Sequence, residues 1–129
     1  MKSAMFGQSE EDDEGRSPAH ILLVDDDEIN LLLTATALRE QGLQVTEVTS
    51  GEAALRLMQQ WTPHLVILDA LMPGMDGFAT CRQLRGLPGG ELLPVLMLTG
   101  LDDDASIERA YDAGANDFFV KSTQWSLLI

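Results

Sequence analysis

A run of four apolar residues, Leu65 to Leu68, leads directly into the carboxylate Asp69 and then into a segment rich in turn residues. A continuous apolar run of this length is typical of a strand buried on both faces, as in the centre of a parallel sheet covered by helices. In open α/β sheets, ligands bind at the carboxyl ends of the strands, where the strand order reverses. Asp69 is therefore expected at a ligand-binding edge of a sheet.

The same pattern recurs along the chain. Apolar runs at 20–24, 94–98 and 118–120, and a more mixed segment at 43–49, predict four further strands, and segments with helical periodicity separate them. Five strands that alternate with helices predict a doubly wound α/β domain with a parallel sheet and right-handed crossovers. If the strands are adjacent and parallel, their carboxyl ends bring five polar side chains to one edge of the sheet: Asp25, Asp26, Asp69, Thr99 and Lys121.

Apolar residues at helical spacing predict which side of each helix is buried against this sheet. Asp27 is expected to cap the first helix, and acidic residues 102–104 are expected at the start of the fourth. The predicted buried faces, in chain order, are Ile29, Leu32, Leu33, Thr36 and Ala37; then Ala54, Leu55, Leu57 and Met58; then Phe78, Cys81 and Leu84; and finally Ile107, Ala110 and Tyr111.

Length and composition fit one domain with a single sizeable core, since the chain has 129 residues and is 45% hydrophobic. Residues 1–17 carry an acidic run and little apolar surface, so we expect a disordered tail there and a folded domain over 18–129. Cys81 is the only cysteine, which excludes an internal disulfide and a thiol pair for zinc or redox chemistry.

Charge and hydropathy exclude several further classes of protein. The formal net charge is −13 with only eight Lys and Arg residues, which argues against a surface that binds nucleic acid or an anionic membrane. No apolar segment reaches the roughly 18 residues that span a bilayer, and the N-terminus lacks the pattern of a signal peptide. We therefore expect a cytoplasmic protein.

The residues predicted at the sheet edge suggest phosphoryl chemistry. Three carboxylates repel one another by roughly 1 kcal/mol per pair in water and about 4 kcal/mol when partly buried, so they need a cation. With oxygen ligands alone, Mg²⁺ or Mn²⁺ is the natural choice. Lys121 and the Thr99 hydroxyl would supply a positive charge and a hydrogen-bond donor to a phosphoryl group, and Asp69 could itself be the nucleophile that forms an aspartyl-phosphate.

These motifs resemble the receiver domain of bacterial two-component response regulators over about residues 19–125. The resemblance rests on the order and spacing of the acid pair, the lone Asp, the Thr and the Lys in the segments Val24–Asp26, Leu68–Asp69, Met72–Gly77, Leu98–Gly100 and Phe118–Lys121. It implies a flavodoxin-like sheet with strand order 2-1-3-4-5. It also implies that the chain is not an enzyme beyond promoting the phosphorylation and dephosphorylation of its own aspartate.

The resemblance further implies specific roles for individual residues. Asp69 would accept a phosphoryl group from a phosphohistidine on a sensor histidine kinase or a phosphotransfer protein. Asp26, Asp69 and the backbone oxygen of Leu71 would bind Mg²⁺ directly, and Asp25 would act through water. The residues implied for phosphate binding and switching are Thr99, Gly100, Lys121 and Phe118.

Two features depart from the family pattern. Ser122 stands where a proline usually follows the Lys, so we expect a trans peptide there, because a cis bond before a non-proline residue costs about 2.5–4 kcal/mol. Only the beginning of the usual final helix is present, so the helix is expected to be truncated and an output domain, such as a diguanylate cyclase, to follow Ile129. Dimerisation on phosphorylation, through the fourth helix and fifth strand, is also implied by the resemblance.

Three alternative functions share parts of this pattern. An aspartate-nucleophile phosphatase would need an acid two residues after Asp69, where Leu71 stands, and a dinucleotide or flavin binder would need a Gly-x-Gly-x-x-Gly after a strand, which is missing. A pseudo-receiver, which acts as an interaction module without phosphorylation, remains the alternative that only Ser122 favours.

Overall fold

The computed structural model describes residues 18–100 and 104–121. Strands and helices alternate along this part of the chain, each strand–helix pair forming one crossover unit. The elements are β1 (His20–Val24), α1 (Glu28–Glu40), β2 (Gln44–Val48), α2 (Gly51–Met58), β3 (Leu65–Asp69), α3 (Gly77–Leu84), β4 (Val95–Thr99), α4 (Asp104–Asp112) and β5 (Asp117–Val120).

The five strands form one parallel sheet in the order β2-β1-β3-β4-β5. This confirms the predicted flavodoxin-like doubly wound fold. The central strands β1, β3 and β4 are almost entirely buried, as their continuous apolar runs require, whereas the residues of the edge strands β2 and β5 are half-buried or exposed. The expected truncated final helix and the peptide before Ser122 lie outside the described residues, as do tail residues 1–17.

Side chains that alternate along the strands build a separate core on each face of the sheet. Leu22 and Leu68 point into the larger core, which α2, α3 and α4 cover. Ile21 and Ile67 point into the smaller core, which α1 covers. Of the described helices, one therefore lies on one face of the sheet and three lie on the other.

The predicted buried face of α1 is wrong. Ile29, Leu32 and Leu33 are 69%, 61% and 57% exposed, and Thr36 is also exposed. The residues that pack on the sheet lie on the opposite side of the helix: Leu31, Thr34, Ala35 and Leu38. Both sets recur at helical spacing, so periodicity alone could not choose between them; the path of the chain from β1 through the cap at Asp27 sets the rotation of the helix.

The other predicted helix faces agree better with the structure. Ala54 and Met58 of α2 are buried, and so are all three predicted residues of α3. In α4, Ala110 is buried as predicted, but Tyr111 is 47% exposed and Ser106 is buried in its place. Asp104 opens α4, and residues 101–103 lie outside the described part of the chain.

No helix among the described residues is both long enough and apolar enough to cross a membrane.

Candidate functional site

The parallel register brings the predicted polar side chains to one edge of the sheet. β1 and β3 pair up to the residues immediately before Asp25 and Asp69, so these two carboxylates lie side by side. β4 ends at Thr99, whose partner is the last residue of β5, and Lys121 follows directly. The backbone N–H of Lys121 donates to the carbonyl of Thr99 at 2.6 Å, which fixes the start of the segment after β5.

Three carboxylates form a tight cluster at this edge. Oxygens of Asp25, Asp26 and Asp69 lie within 4.8 Å of one another, and Asp25 and Asp69 are buried whereas Asp26 is exposed. The ammonium Nζ of Lys121 lies 2.7 Å from Oδ2 of Asp25 and 3.5 Å from Oδ2 of Asp69. One positive charge therefore faces three negative charges, which leaves a net attraction for a further cation.

Asp25 is fixed in place by donors at both of its oxygens. Its Oδ2 bonds to Lys121, and its Oδ1 accepts from the backbone N–H of Asp27 at 2.9 Å. Asp27 in turn caps α1, since its side chain accepts from the N–H groups of Ile29 and Asn30. The sequence predicted the cap but not the bond to Asp25; the only available signal was three consecutive aspartates before a helix.

Burial raises the pKa of the Asp69 carboxyl to about 6, and the negative charges of Asp25 and Asp26 act in the same direction. The Lys121 ammonium and a hydrogen bond from the backbone N–H of Leu71 oppose this rise in pKa. At neutral pH the surroundings therefore stabilise the negative charge of Asp69 poorly. A bound metal ion, or a covalent bond to the carboxylate, would relieve this unfavourable charge.

The turn between β3 and α3 brings the backbone of Gly77 into close contact with the backbone of Asp69 and Ala70. The N–H of Gly77 donates to the carbonyl of Ala70 at 2.8 Å. A Cβ on Gly77 would lie 2.1 Å from the carbonyl oxygen of Asp69, so only glycine fits where α3 begins. Asp76 caps the helix by accepting from the N–H of Ala79 at 2.8 Å. The sequence predicted a turn here, but the close approach depends on tertiary packing.

The remaining predicted site residues surround this cluster in different environments. Thr99 is fully buried at the end of β4, whereas Gly100 is exposed. Phe118 is half-buried and packs against the larger core. The side chain of Leu71 is 51% exposed, directly after the buried Asp69 and Ala70.

The donor atoms fit a hard divalent cation. Carboxylate oxygens are the ligands that Mg²⁺ prefers, and Mg²⁺ is usually held by one or two carboxylates while it keeps several waters. No sulfur ligand is part of the three-residue cluster. The exposed Asp26 leaves one side of the cluster open to solvent, where such an ion could enter.

Comparison with known proteins gives a consistent match. The family model described as "Response regulator receiver domain" matches residues 21–129. The transcriptional regulatory protein AfsQ1 of Streptomyces coelicolor is 37% identical over 111 residues, which cover 86% of this chain and 48% of AfsQ1. The chain therefore spans about half the length of this curated relative.

Solved structures agree in fold as well as in sequence. The signal receiver domain of a signal transduction histidine kinase from Syntrophus aciditrophicus is 37% identical with a TM-score of 0.77, covering 85% of this chain and 83% of that one. The receiver domain of the sensor histidine kinase PA1611 from Pseudomonas aeruginosa, solved with a magnesium ion in its active-site cleft, is 28% identical with a TM-score of 0.79. That match covers 87% of this chain and 92% of the other.

Proposed function

The chain belongs to the receiver domains of response regulators, and from this premise we propose that it is a phosphorylation-controlled switch whose phosphoacceptor is Asp69. The observation that carries the proposal is the position of the Asp69 carboxylate: buried at the end of β3, clustered with Asp25 and Asp26, and 3.5 Å from the ammonium of Lys121. The phosphoryl donor is a phosphohistidine on a sensor histidine kinase or on a phosphotransfer protein.

The reaction is a transfer of a phosphoryl group from nitrogen to oxygen. An oxygen of the Asp69 carboxylate attacks phosphorus, the phosphorus–nitrogen bond of the donor breaks, and the donor imidazole leaves with the electron pair of that bond. The product is an acyl phosphate on Asp69. Because the pKa of Asp69 is about 6, most of its carboxyl groups are ionised at neutral pH and ready to attack.

Asp26, Asp69 and the backbone oxygen of Leu71 are the proposed direct ligands of Mg²⁺, with Mn²⁺ as a substitute, and Asp25 acts through water. When bound, the ion neutralises charge on the phosphoryl oxygens. The hydrogen bonds of Asp25 support this division, because both of its oxygens already accept from protein donors, whereas Asp26 is exposed. The PA1611 receiver domain, which holds magnesium in its cleft, supports the choice of ion.

Lys121 is the proposed partner of the phosphoryl group on the side away from the metal. Its side chain is 21% exposed and its ammonium lies near both Asp25 and Asp69, so the ammonium could exchange a carboxylate for a phosphoryl oxygen with little movement. Thr99 and Gly100 complete the phosphate-binding set. The bonded contact between the backbones of Thr99 and Lys121 would let a shift of one segment move the other.

Phe118 is the proposed aromatic residue of the switch. Its side chain turns further inward when Thr99 moves towards the phosphoryl group. Its half-buried position against the larger core gives it two environments that differ in exposure. Phosphorylation would then shift a population between two packings by adding charge and hydrogen bonds at one end of β4 and β5.

The proposed readers of this switch lie outside the chain. AfsQ1 is about twice as long as the segment that matches here, and it is named a transcriptional regulatory protein. We extend the proposal to an output domain, either DNA-binding or a diguanylate cyclase, and to dimerisation through α4 and β5. Tyr111, Phe119 and Val120, which are 47%, 42% and 39% exposed, give that surface its apolar character.

Labelling with small phosphodonors tests the assignment of Asp69. Acetyl phosphate with Mg²⁺ should add one phosphoryl group, and beryllofluoride with Mg²⁺ should bind at one site. Peptide mapping after borohydride reduction should place the acyl phosphate on Asp69. Asp69→Asn should abolish labelling, and Asp112→Asn, at an exposed helix position, should leave it unchanged.

Two results would defeat the proposal. One is an adduct that persists in Asp69→Asn or maps to another residue. The other is a wild-type protein that binds Mg²⁺ yet takes no phosphoryl group from any donor, which would instead identify a pseudo-receiver.

A further inference from the structure

Few buried side chains attach α4 to the rest of the fold. Of its nine residues, Ser106 and Ala110 are buried and Ile107 is half-buried. The two buried side chains are small, and Ala110 is the one that joins the larger core. A helix that buries so little apolar surface is held weakly and can shift at low cost. A longer side chain that reaches from α4 to a neighbouring element would therefore strongly influence the position of the helix.

Arg109 is a side chain of this kind. Its guanidinium carbon Cζ lies 4.1 Å from the centroid of the Phe78 ring, well inside the roughly 6 Å within which a cation is attracted to an aromatic face. Its Nη2 lies 3.8 Å from Oδ2 of Asp76. Phe78 is fully buried, so the guanidinium covers a ring of the larger core. Arg109 thus joins α4 to two residues at the start of α3.

The direction of the Arg109 side chain shows which contact attracts it most. The side chain is more than half exposed, and Asp112 offers a carboxylate three residues along the same helix. The guanidinium nevertheless lies against α3. Because the ion pair with Asp76 is partly exposed, it adds little stability. The contact with the Phe78 ring therefore supplies most of the attraction, and the ion pair mainly orients the guanidinium.

The two residues that Arg109 contacts flank Gly77, which touches the turn of Asp69. A Cβ on Gly77 would lie 2.1 Å from the carbonyl oxygen of Asp69, so the two backbones are in direct contact. Backbone atoms cannot rotate away as a side chain can. A displacement of the Asp69 backbone must therefore displace Asp76 and Phe78 as well.

We propose that Arg109 is a positioning residue that couples α4 to the turn of Asp69, an inference that rests on the proposed function. A phosphoryl group on Asp69 shifts the turn, the turn displaces the start of α3, and the guanidinium passes this displacement to α4. The coupling is reciprocal, so a partner that holds α4 in one position also favours one state of Asp69. This route runs through α3 and is separate from the one through Thr99 and Phe118, which follows β4 and β5.

A single tyrosine allows α4 to be observed directly. Tyr111 is the only tyrosine of the chain, and it lies on α4. Protein labelled with ¹⁵N-tyrosine therefore gives one backbone amide resonance, which reports the surroundings of this helix. Beryllofluoride with Mg²⁺ should shift this resonance in wild type. The ¹⁹F resonance of bound beryllofluoride shows independently that the site is occupied.

Substitutions of Arg109 test the coupling. Arg109→Ala removes both contacts with α3 and should lower the Tyr111 shift by about half or more at full occupancy, because only the other route remains. Labelling of Asp69 by acetyl phosphate should persist, since no proposed ligand is changed. Arg109→Lys keeps a cation over the Phe78 ring and should restore most of the shift. If Arg109→Ala does not fold, Arg109→Met, which covers the ring without a charge, should also lower the shift.

Arg82→Ala is the matched control. Arg82 is exposed in the last turn of α3, so its loss makes the same change of charge at the opposite end of that helix. This variant should leave the Tyr111 shift at its wild-type value. Circular dichroism and thermal melting show whether each variant keeps its fold. A purely structural role of Arg109 would lower the melting temperature without changing the shift.

Several outcomes would overturn the inference. A wild-type Tyr111 resonance that stays in place while beryllofluoride binds would show that α4 does not respond, and would leave the phosphoacceptor role of Asp69 intact. A wild-type shift in folded Arg109→Ala would remove Arg109 from the coupling, and equal losses in Arg109→Ala and Arg82→Ala would reduce it to an effect of net charge. Failure of beryllofluoride and acetyl phosphate to react with wild type would overturn the proposed function together with this inference.

Discussion

Lys121 and the three carboxylates lie close enough together that the stability of each charge depends on the others. The ammonium of Lys121 bonds to Asp25 at 2.7 Å and is 0.8 Å farther from Asp69, at 3.5 Å. Of the two buried carboxylates, Asp69 is thus the one farther from Lys121; burial raises its pKa to about 6, and the Lys121 ammonium only partly opposes that rise. The residue proposed to accept the phosphoryl group therefore carries a negative charge that its burial disfavours.

A pH-dependent stability follows from this raised pKa. The folded state binds the Asp69 proton more tightly than the unfolded chain, whose carboxyl has a pKa of 3.8. The resulting stabilisation is complete below pH 3.8 and is lost as the pH rises through about 6. Asp69→Asn removes this loss, so without divalent ions its free energy of unfolding should exceed that of wild type at pH 7.5, by at most about 3 kcal/mol.

Urea denaturation of both proteins between pH 4 and 8, in the presence of a chelator, measures this difference. The gap should narrow steadily towards pH 4. Asp112→Asn makes the same change of charge at an exposed position and should show no such gap. Parallel curves for wild type and Asp69→Asn across the whole range would contradict the prediction.

At the scale of helices and strands, α3 begins where no side chain can be accommodated. Gly77 faces the carbonyl of Asp69 with room for a hydrogen but not for a Cβ, which would also lie 2.7 Å from the Cα of Ala70. Both neighbours are backbone atoms and cannot rotate away. The start of α3 and the end of β3 therefore hold each other in position.

Gly77→Ala should therefore destabilise the fold by about 2–4 kcal/mol, because backbone must shift to relieve the overlap. It should also weaken binding of beryllofluoride, since the shift displaces Asp69. Thermal melting and a fluorescence titration measure the two effects. The matched control is Gly86→Ala, where a Cβ would lie 3.5 Å from its nearest neighbour and should change little. A Gly77→Ala protein with the melting temperature of wild type would show that the space between Gly77 and the carbonyl of Asp69 can accept a Cβ.

Strands were more predictable from sequence than helix faces, for a physical reason. The runs before Asp25, Asp69 and Thr99 are apolar at every position except His20, so the strands they predict differ from the observed ones by at most a residue at either end. Parallel pairing then brings strand ends together, and the cluster follows. In α1, by contrast, Leu31, Ala35 and Leu38 compete with Ile29, Leu32 and Leu33 for the sheet, and only the tertiary path of the chain selects the first set.

Two backbone contacts at the site could not be predicted from sequence patterns. The approach of Gly77 to Asp69, and the bond from the N–H of Asp27 to Asp25, depend on how loops pack once the sheet has formed. Glycine after aspartate predicted a turn, and three aspartates predicted a cap. Neither pattern shows which backbone atom lies against Gly77 or against the carboxylate of Asp25.

At the scale of the whole molecule, three carboxylates meet at one end of a sheet whose central strands are largely apolar. The net charge is −13, and three of the acids meet within 4.8 Å. Unfolding disperses these three carboxylates, so a cation that bridges them binds the folded state alone. The proposed metal site would therefore couple metal binding to folding.

Mg²⁺ should raise the melting temperature of the protein. At a concentration ten times its dissociation constant, the ion stabilises the folded state by about 1.4 kcal/mol, which corresponds to roughly 5 °C for a domain of this size. Differential scanning calorimetry with MgCl₂, compared with NaCl at equal ionic strength, measures the shift. Asp26→Asn, which removes the exposed carboxylate of the cluster, should reduce it. Equal melting temperatures in the two salts for wild type would count against the metal site.

The bond between Lys121 and Asp25 joins residues that are 96 positions apart in the chain. On the ribosome, Asp25 and Asp69 are made long before Lys121. β5, the last strand of the described residues, is added at the edge of a sheet whose central strands are made earlier. Until that strand pairs, the two buried acids lack their ammonium. If Asp69 accepts the phosphoryl group as proposed, competence for phosphorylation would arise only once Lys121 is in place, and a copy that terminates before Lys121 would not draw phosphoryl groups away from longer ones.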